Sequence, residues 1–368
     1  MLLLGAIALP GGTAPAPTDD VEPDDQYNLG QVEPAAVPST SWRQGILWQT
    51  IEEPDAISGS PGLIAISPDD RLVASVIDPV QADPAQEIFG DAVRVWDLIT
   101  GEVRYTLADH DASITAIAFS PDGETLATAS YNHDRRMLTI HLWDAATGER
   151  RHSLFRAVSP RLYSGAYYFR AVLAFSPDGK TLYSSTTYPI IQVWDVEQGT
   201  LIRSLVPYRE VVRAIAVSPD GRTLASSHVD GTWSLFDLQE EGTISRIHVG
   251  RDGFDIAFMP DGSAIMGAFE FSVNPNRNQR QVLLWDVASG TILRQLPNFS
   301  DQAWLVPSPD GQVFASSIYG EGVEIRNLPT NQVLLTLDLA SSNYAFSPSG
   351  QIFAVATEGE IQIWQRTP

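Results

Sequence analysis

A four-residue turn recurs seven times along this chain. Its copies are Ser67-Pro68-Asp69-Asp70, Ser120-Pro121-Asp122-Gly123, Ser176-Pro177-Asp178-Gly179, Ser218-Pro219-Asp220-Gly221, Met259-Pro260-Asp261-Gly262, Ser308-Pro309-Asp310-Gly311 and Ser347-Pro348-Ser349-Gly350. Successive copies are 53, 56, 42, 41, 49 and 39 residues apart. Proline presets φ for the turn, aspartate bonds local backbone and glycine supplies a positive φ. Short apolar runs flank most copies, as Ile117-Ala118-Phe119 and Leu126-Ala127 do for the second. Each copy therefore reads as the turn of a β-hairpin, with proline at the turn and not inside a strand. A hairpin repeated at this period restricts the chain to a repeat architecture.

A second marker follows each turn: Val95-Trp96-Asp97, Leu142-Trp143-Asp144, Val193-Trp194-Asp195, Leu235-Phe236-Asp237, Leu284-Trp285-Asp286, Ile325-Arg326-Asn327 and Ile363-Trp364-Gln365. In most copies a glycine-containing turn and a fourth short run come next, as in Thr147-Gly148 then Arg151 to Leu154. Four strands per repeat describe a propeller blade. With these residues the chain resembles the WD-repeat family of β-propellers, in its divergent, bacterial-type form, over residues 43–368. The TolB-like propellers share the turn but lack the phased Trp-Asp, and rank second. The resemblance implies an all-β, seven-bladed propeller. The last repeat stops just after its third strand, while Gly45 to Ile51 looks like a fourth strand with no preceding three. Pairing the two closes the ring and leaves no sheet edge at either terminus. The family pattern also includes a buried His–Ser–Trp–Asp network, for which only blade two offers candidates: His110, Ser130, Asp134 and Trp143.

Upstream of the repeats, residues 2–9 (LLLGAIAL) resemble the apolar core of a secretory signal peptide, without its basic flank. Residues 10–42 hold six prolines, six acids and no base. Such a stretch cannot bury enough apolar area to offset its ordering entropy, and reads as a disordered acidic linker. If residues 1–9 are a signal peptide, the protein works outside the cytoplasm, exported or periplasmic; a cytoplasmic location is the alternative. No run of 18 apolar residues exists, so no transmembrane helix is expected.

Chemistry is sparse. The net charge of −22 argues against nucleic acid as a partner. The absence of cysteine removes disulfides, thiol catalysis and cysteine-ligated zinc. Gly179-Lys180-Thr181 mimics the tail of a phosphate-binding loop, but position 174 is alanine where that pattern needs glycine. Neither a metalloprotease helix motif nor a nucleophile elbow is present, and the six histidines lack metal-ligand spacing. No catalytic residue, metal or cofactor is assigned. The densest polar group, His133-Asp134 beside Arg135-Arg136, reads as a solvated loop tip, because two arginines repel a cation.

Length variation locates function. The distance from turn to Trp-equivalent position is 29, 23, 18, 18, 26, 18 and 17 residues. Blades one, two and five thus carry insertions, at Ile77 to Asp91, Tyr131 to Leu138 and Ala268 to Arg280, and Phe155 to Arg170 links blades two and three. Family geometry opens all four on one face. The last three hold seven arginines against two acids in 37 residues, with Tyr131, Phe155, Phe269 and other aromatics among them. Arginine and aromatics are enriched at interface hot spots. The expected function is a non-enzymatic scaffold that docks a partly anionic protein on this face. Arg135, Arg136, Arg170, Arg277 and Arg280 supply the charge, and Tyr163, Tyr167, Tyr168 and Phe271 the buried anchors. Two alternatives stay open: loops that merely pack on one another, and an enzyme or small-ligand binder with its site at the channel mouth. Partner identity and oligomeric state stay open as well.

Overall fold

The computed structural model describes residues 41–53, 63–77, 92–132, 135–157, 171–185, 189–206, 208–240, 242–250, 253–274, 277–299, 305–318, 322–339, 343–357 and 359–367. The expected signal-like stub, nearly all of the acidic linker and most of the 77–91 and 155–170 insertions lie outside them. Among the described residues the chain forms seven four-stranded antiparallel sheets. Six are consecutive in sequence, spanning 64–107, 114–157, 172–205, 212–248, 253–299 and 305–337. In the seventh, Ile46–Glu53 pairs antiparallel with Gly359–Gln365, outside Ile352–Thr357 and Asn343–Phe346.

Blades form because inner strands are apolar on both faces and outer strands on one. Leu72–Ile77, second in blade one, is buried at every position, while the outer Val103–Leu107 alternates toward solvent. Seven apolar clusters hold the ring, one at each blade-to-blade interface. The third-strand marker aromatic belongs to the cluster shared with the preceding blade: Trp96 packs on blade seven, Trp143 on blade one and Trp194 on blade two.

The repeated turn works as its chemistry demands. Ser67 Oγ donates to Asp69 Oδ1 at 2.6 Å and accepts the Leu72 N–H at 2.9 Å, and the pattern recurs at Ser176, Ser218 and Ser308. The Ser176 and Ser218 hydroxyls, then the Lys180 and Arg222 amides, hold the Asp178 and Asp220 carboxyls below the usual range. These aspartates are turn formers. The glycine takes the left-handed φ (+75° at Gly123) that side chains rarely adopt, and it rests on the preceding blade, where a Cβ on Gly123 would make ordinary contact 3.6 Å from Pro68. Gly221 on Pro177, Gly262 on Pro219 and Gly350 on Pro309 repeat the contact.

A further rule links the outer strands. In each blade the outer strand shifts register beside the third-strand marker. The residue after the shift reaches the turn that follows the next blade's third strand. Tyr105 Oη donates to Ala145 O, His152 Nε2 to Glu197 O, Arg203 to Leu238 O and Arg294 to Leu328 O. At the closing seam the Gln49 side chain lies against Gly101, in the turn after the third strand of blade one.

Two boundaries shift from the sequence expectation. Trp42, 1% exposed, is part of the core, so the folded unit includes residues assigned to the linker. The insertions in blades two and five are longer strands rather than long loops. Thr125–Asn132 and Met137–Asp144 leave a tip of four residues, and Ala264–Asn274 pairs with Arg277–Asp286. Tyr131 and Phe269, grouped above with the loop aromatics, are buried at 5% and 2% exposure.

Candidate functional site

Strand direction alternates within each blade, so the loops sort onto two faces. The Ser-Pro-Asp-Gly turns and the turns after the Trp-Asp marker share the bottom face. The second-to-third-strand hairpins and the interblade links share the top.

On the top of blade two, the Asn132 side chain accepts the Arg135 N–H at 2.9 Å and sets the hairpin tip. Arg135 is 68% exposed, with its guanidinium 3.5 Å from Asp111. Arg136 and Arg156 are exposed beside it, as is Phe155. In blade five, backbone register sets Phe271 opposite Gln279, Glu270 opposite Arg280 and Asn274 opposite Arg277. The side chains of Phe271, Arg277 and Arg280 lie outside the described residues, as do Tyr163, Tyr167, Tyr168, Arg170, His133 and Asp134 entirely.

In blade two His110 and Trp143 meet through the hydroxyl of Thr128, not that of the expected Ser130, and Asp134 lies outside the described residues. Thr128 Oγ1 lies 2.8 Å from His110 Nε2 and accepts the Trp143 Nε1–H at 2.9 Å. Ser130 sits opposite Thr139, four positions from Trp143, which is about 13 Å along a strand. Its own Oγ is buried without a partner among the described residues. His141 joins the cluster edge-on, 5.3 Å from His110 and 5.5 Å from Trp143. Burial, then Arg150, pushes its pKa down.

Blade four holds a top-face feature that the sequence reading passed over. His228 is fully buried; its Nε2 lies 3.0 Å from Ser226 Oγ and its Nδ1 3.1 Å from Glu210 O, which pins the 208–210 link. Tyr208 stacks edge-on against it, and the Arg246 and Arg209 guanidiniums lie 5.2 and 5.8 Å from the Tyr208 ring. Burial above all pushes the His228 pKa down to about 4. As pH falls below 6.5 the unfolded chain takes up a proton that the folded chain refuses until about 4, so stability falls across that window. At about 1.4 kcal/mol per pH unit the loss is about 3 kcal/mol. Unfolding free energies of the wild type and His228→Gln should therefore converge by that amount between neutral pH and pH 4, measured by urea titration.

A cavity of about 260 Å³ lies along the inner strands, lined by Ile64, Asp255, Met266, Leu305, Pro307 and Tyr344 among others. Asp255 is its one carboxylate, and its Oδ2 accepts the Leu305 N–H at 3.4 Å. Thr115 takes the Ala171 N–H and Asn343 the Leu63 N–H in the same way, so these polar groups join neighbouring inner strands. Among the described residues no three His, Asp or Glu side chains could hold a metal, and no helix is long and apolar enough to cross a membrane.

Residues 101–136 and 199–237 match the family described as WD domain, G-beta repeat. Each match starts at the outer strand of one blade and runs into the next, so the sequence repeat straddles two blades. Periodic tryptophan protein 2 of Arabidopsis thaliana is 31% identical over 117 residues, 32% of this chain and 11% of that protein. Protein tipD of Dictyostelium discoideum is 26% identical over 162 residues, 43% of this chain and 24% of that protein. WD repeat and SOCS box-containing protein 1 of Homo sapiens is 29% identical over 109 residues, 30% of this chain and 23% of that protein. The matched segments span between 11% and 24% of these relatives. Seven four-stranded blades, the phased turn and Trp-Asp markers and the two matched segments identify this chain as a seven-bladed β-propeller that carries WD repeats.

Proposed function

We propose that this propeller, of the protein-interaction scaffold kind, docks an anionic region of a protein partner on its top face. The observation that carries the reading is the exposed cationic tip of blade two, where Arg135, Arg136 and Arg156 stand with Phe155 on a chain of net charge −22. An acidic protein repels an anionic partner except where arginines concentrate, so such a sector sets the docking orientation. Arg170, Arg277 and Arg280 extend the charge, and Tyr163, Tyr167, Tyr168 and Phe271 supply anchors. Arginine serves this role better than lysine because its fork grips a carboxylate through two bonds. The channel-mouth alternative draws less support: the cavity carries one carboxylate, already bonded to a backbone amide.

The test begins with a partner co-purified from the native organism. Changing Arg135, Arg136, Arg277 and Arg280 to serine should slow its association and flatten the salt dependence. The melting temperature should stay nearly constant, since surface substitutions shift stability by about 0.5 kcal/mol or less. Unchanged binding with a sharp fall in melting temperature would make these arginines structural. In the same reading residues 1–9 direct export and residues 10–42 act as a spacer. Sequencing the native N-terminus should find it downstream of residue 9; a retained Met1 rules export out.

A further inference from the structure

Twelve large hydrophobic side chains are exposed among the described residues, and five of them stand at one of the seven blade seams. Ile46, Leu47 and Trp48, on the closing strand, are 58%, 42% and 42% exposed. Ile99 and Val103, on blade one, are 68% and 46% exposed. The Gln49 side chain lies against Gly101, which sets the turn bearing Ile99, and the strand starting at Val103, beside Ile46–Trp48. The corresponding outer-strand positions are Arg150 and Arg151 in blade two, and they expose Leu201 and Ile202 in blade three, Ile244 in blade four, Leu293 in blade five and Val333 in blade six; the closing seam differs in gathering five such side chains, one of them tryptophan. A concentration of this kind on a monomer surface marks an interaction site, and an exposed tryptophan is the commonest sort of hot-spot anchor.

The bottom-face rim here is acidic. Asp97 and Glu102 flank the turn that carries Ile99, and Asp69 and Asp70 fill the inner turn of the same blade, against Arg71 and Arg104, whose guanidinium lies 3.6 Å from Asp97. Backbone N–H groups of Thr100 and Ile99 hold the Asp97 carboxyl below its ordinary range, so it stays charged. The register shift between Leu47 and Gln49 interrupts the ladder edge at Trp48, which disfavours simple strand addition and leaves side chains as the contact.

We propose that the seam between blades seven and one is a second docking surface, separate from the top face, that takes a protein segment with apolar anchors flanked by Lys or Arg. Trp48 and Ile99 are its central contacts, and the bottom-face carboxylates receive the flanking bases. A scaffold so built holds an anionic partner on one face and a basic, apolar segment on the opposite rim.

The probe is a fluorescein-labelled peptide of alternating leucine and lysine, titrated by anisotropy at physiological salt. Leucine–glutamate and serine–lysine peptides of equal length serve as controls. The leucine–lysine peptide should bind tightest. Trp48→Ser and Ile99→Ser should each weaken it about tenfold or more. Ile244→Ser, at an exposed outer-wall site on blade four, should leave it unchanged. Melting temperatures check that each variant folds. Equal losses from Ile244→Ser, or none from Trp48→Ser and Ile99→Ser, overturn the site. Equal binding of the leucine–glutamate peptide overturns the charge argument. Sedimentation that shows a wild-type dimer dissociated by Trp48→Ser would assign the seam to a second copy of this chain and overturn the proposal.

Discussion

Arg94→Met should lower the unfolding free energy by about 3–5 kcal/mol, and adding Glu53→Leu should restore most of it. Glu53 is fully buried on the closing strand, and Arg94 lies on the third strand of blade one. One guanidinium nitrogen reaches both carboxylate oxygens, at 2.5 and 2.7 Å, and the guanidinium sits 5.9 Å from the Trp96 ring. The pair crosses the seam where the ring closes without a covalent link. A buried carboxylate stripped of its guanidinium keeps its desolvation cost and loses the compensating attraction. Two apolar side chains of similar volume carry no such cost. Guanidinium-chloride midpoints of the two single variants and the double variant measure the difference. A single-variant loss below about 1 kcal/mol would mean that the pair behaves as a surface ion pair.

That contact was illegible in the sequence, and the reason is general to the fold. Whatever depends on residues within one turn could be read. The Ser-Pro-Asp-Gly copies named the hairpins because serine, aspartate and glycine satisfy their own backbone over five residues. The marker aromatics named the third strands because burial recurs at one phase of the repeat. What joins one blade to the next could not be read. Glu53 and Arg94 are 41 residues apart with no shared motif. Tyr105, His152, Arg203 and Arg294 occupy one structural position with four different side chains, and only the shared carbonyl target unites them.

The candidate site was legible in part. Arginine-rich insertions could be placed on one face only through the geometry that the family resemblance implies. Whether an insertion is a loop or a longer hairpin is a question of alternation. Phe269, Phe271 and Val273 recur at every second residue, and that spacing was the signal for an extended strand. Ser130 was named and Thr128 was not for a related reason: both fall on one side of the strand, and only the pairing register tells which lies within reach of Trp143. The 208–210 link was passed over because it has ordinary length; of its two arginine–tyrosine contacts one is with the adjacent Arg209, and the shorter comes from Arg246, on a strand 38 residues beyond Tyr208.

Trp42→Ala should cost about 3–5 kcal/mol, as truncating a buried tryptophan generally does. Trp42 sits in a short 3₁₀ turn, Ser41–Gln44, just before the closing strand. Its ring meets Phe346 at 5.6 Å and Phe353 at 6.3 Å, both near edge-on, in the cluster between blades six and seven. The Gly45 N–H bonds the Trp42 carbonyl at 3.2 Å, and a Cβ on Gly45 would stand 2.8 Å from Leu335. The turn is thus wedged against blade six while the strand after it pairs with blade seven. Losing the indole removes the anchor at one end of the closing strand; Glu53 holds the other. The indole nitrogen has no acceptor among the described residues, so its contribution is packing alone. Trp42→Phe should therefore cost less than half as much as Trp42→Ala. Amide exchange should accelerate first over Ile46–Glu53, as that strand detaches before the ring unfolds. An unchanged unfolding midpoint, or exchange that accelerates evenly across all seven blades, would show that the strand stays in place without its tryptophan.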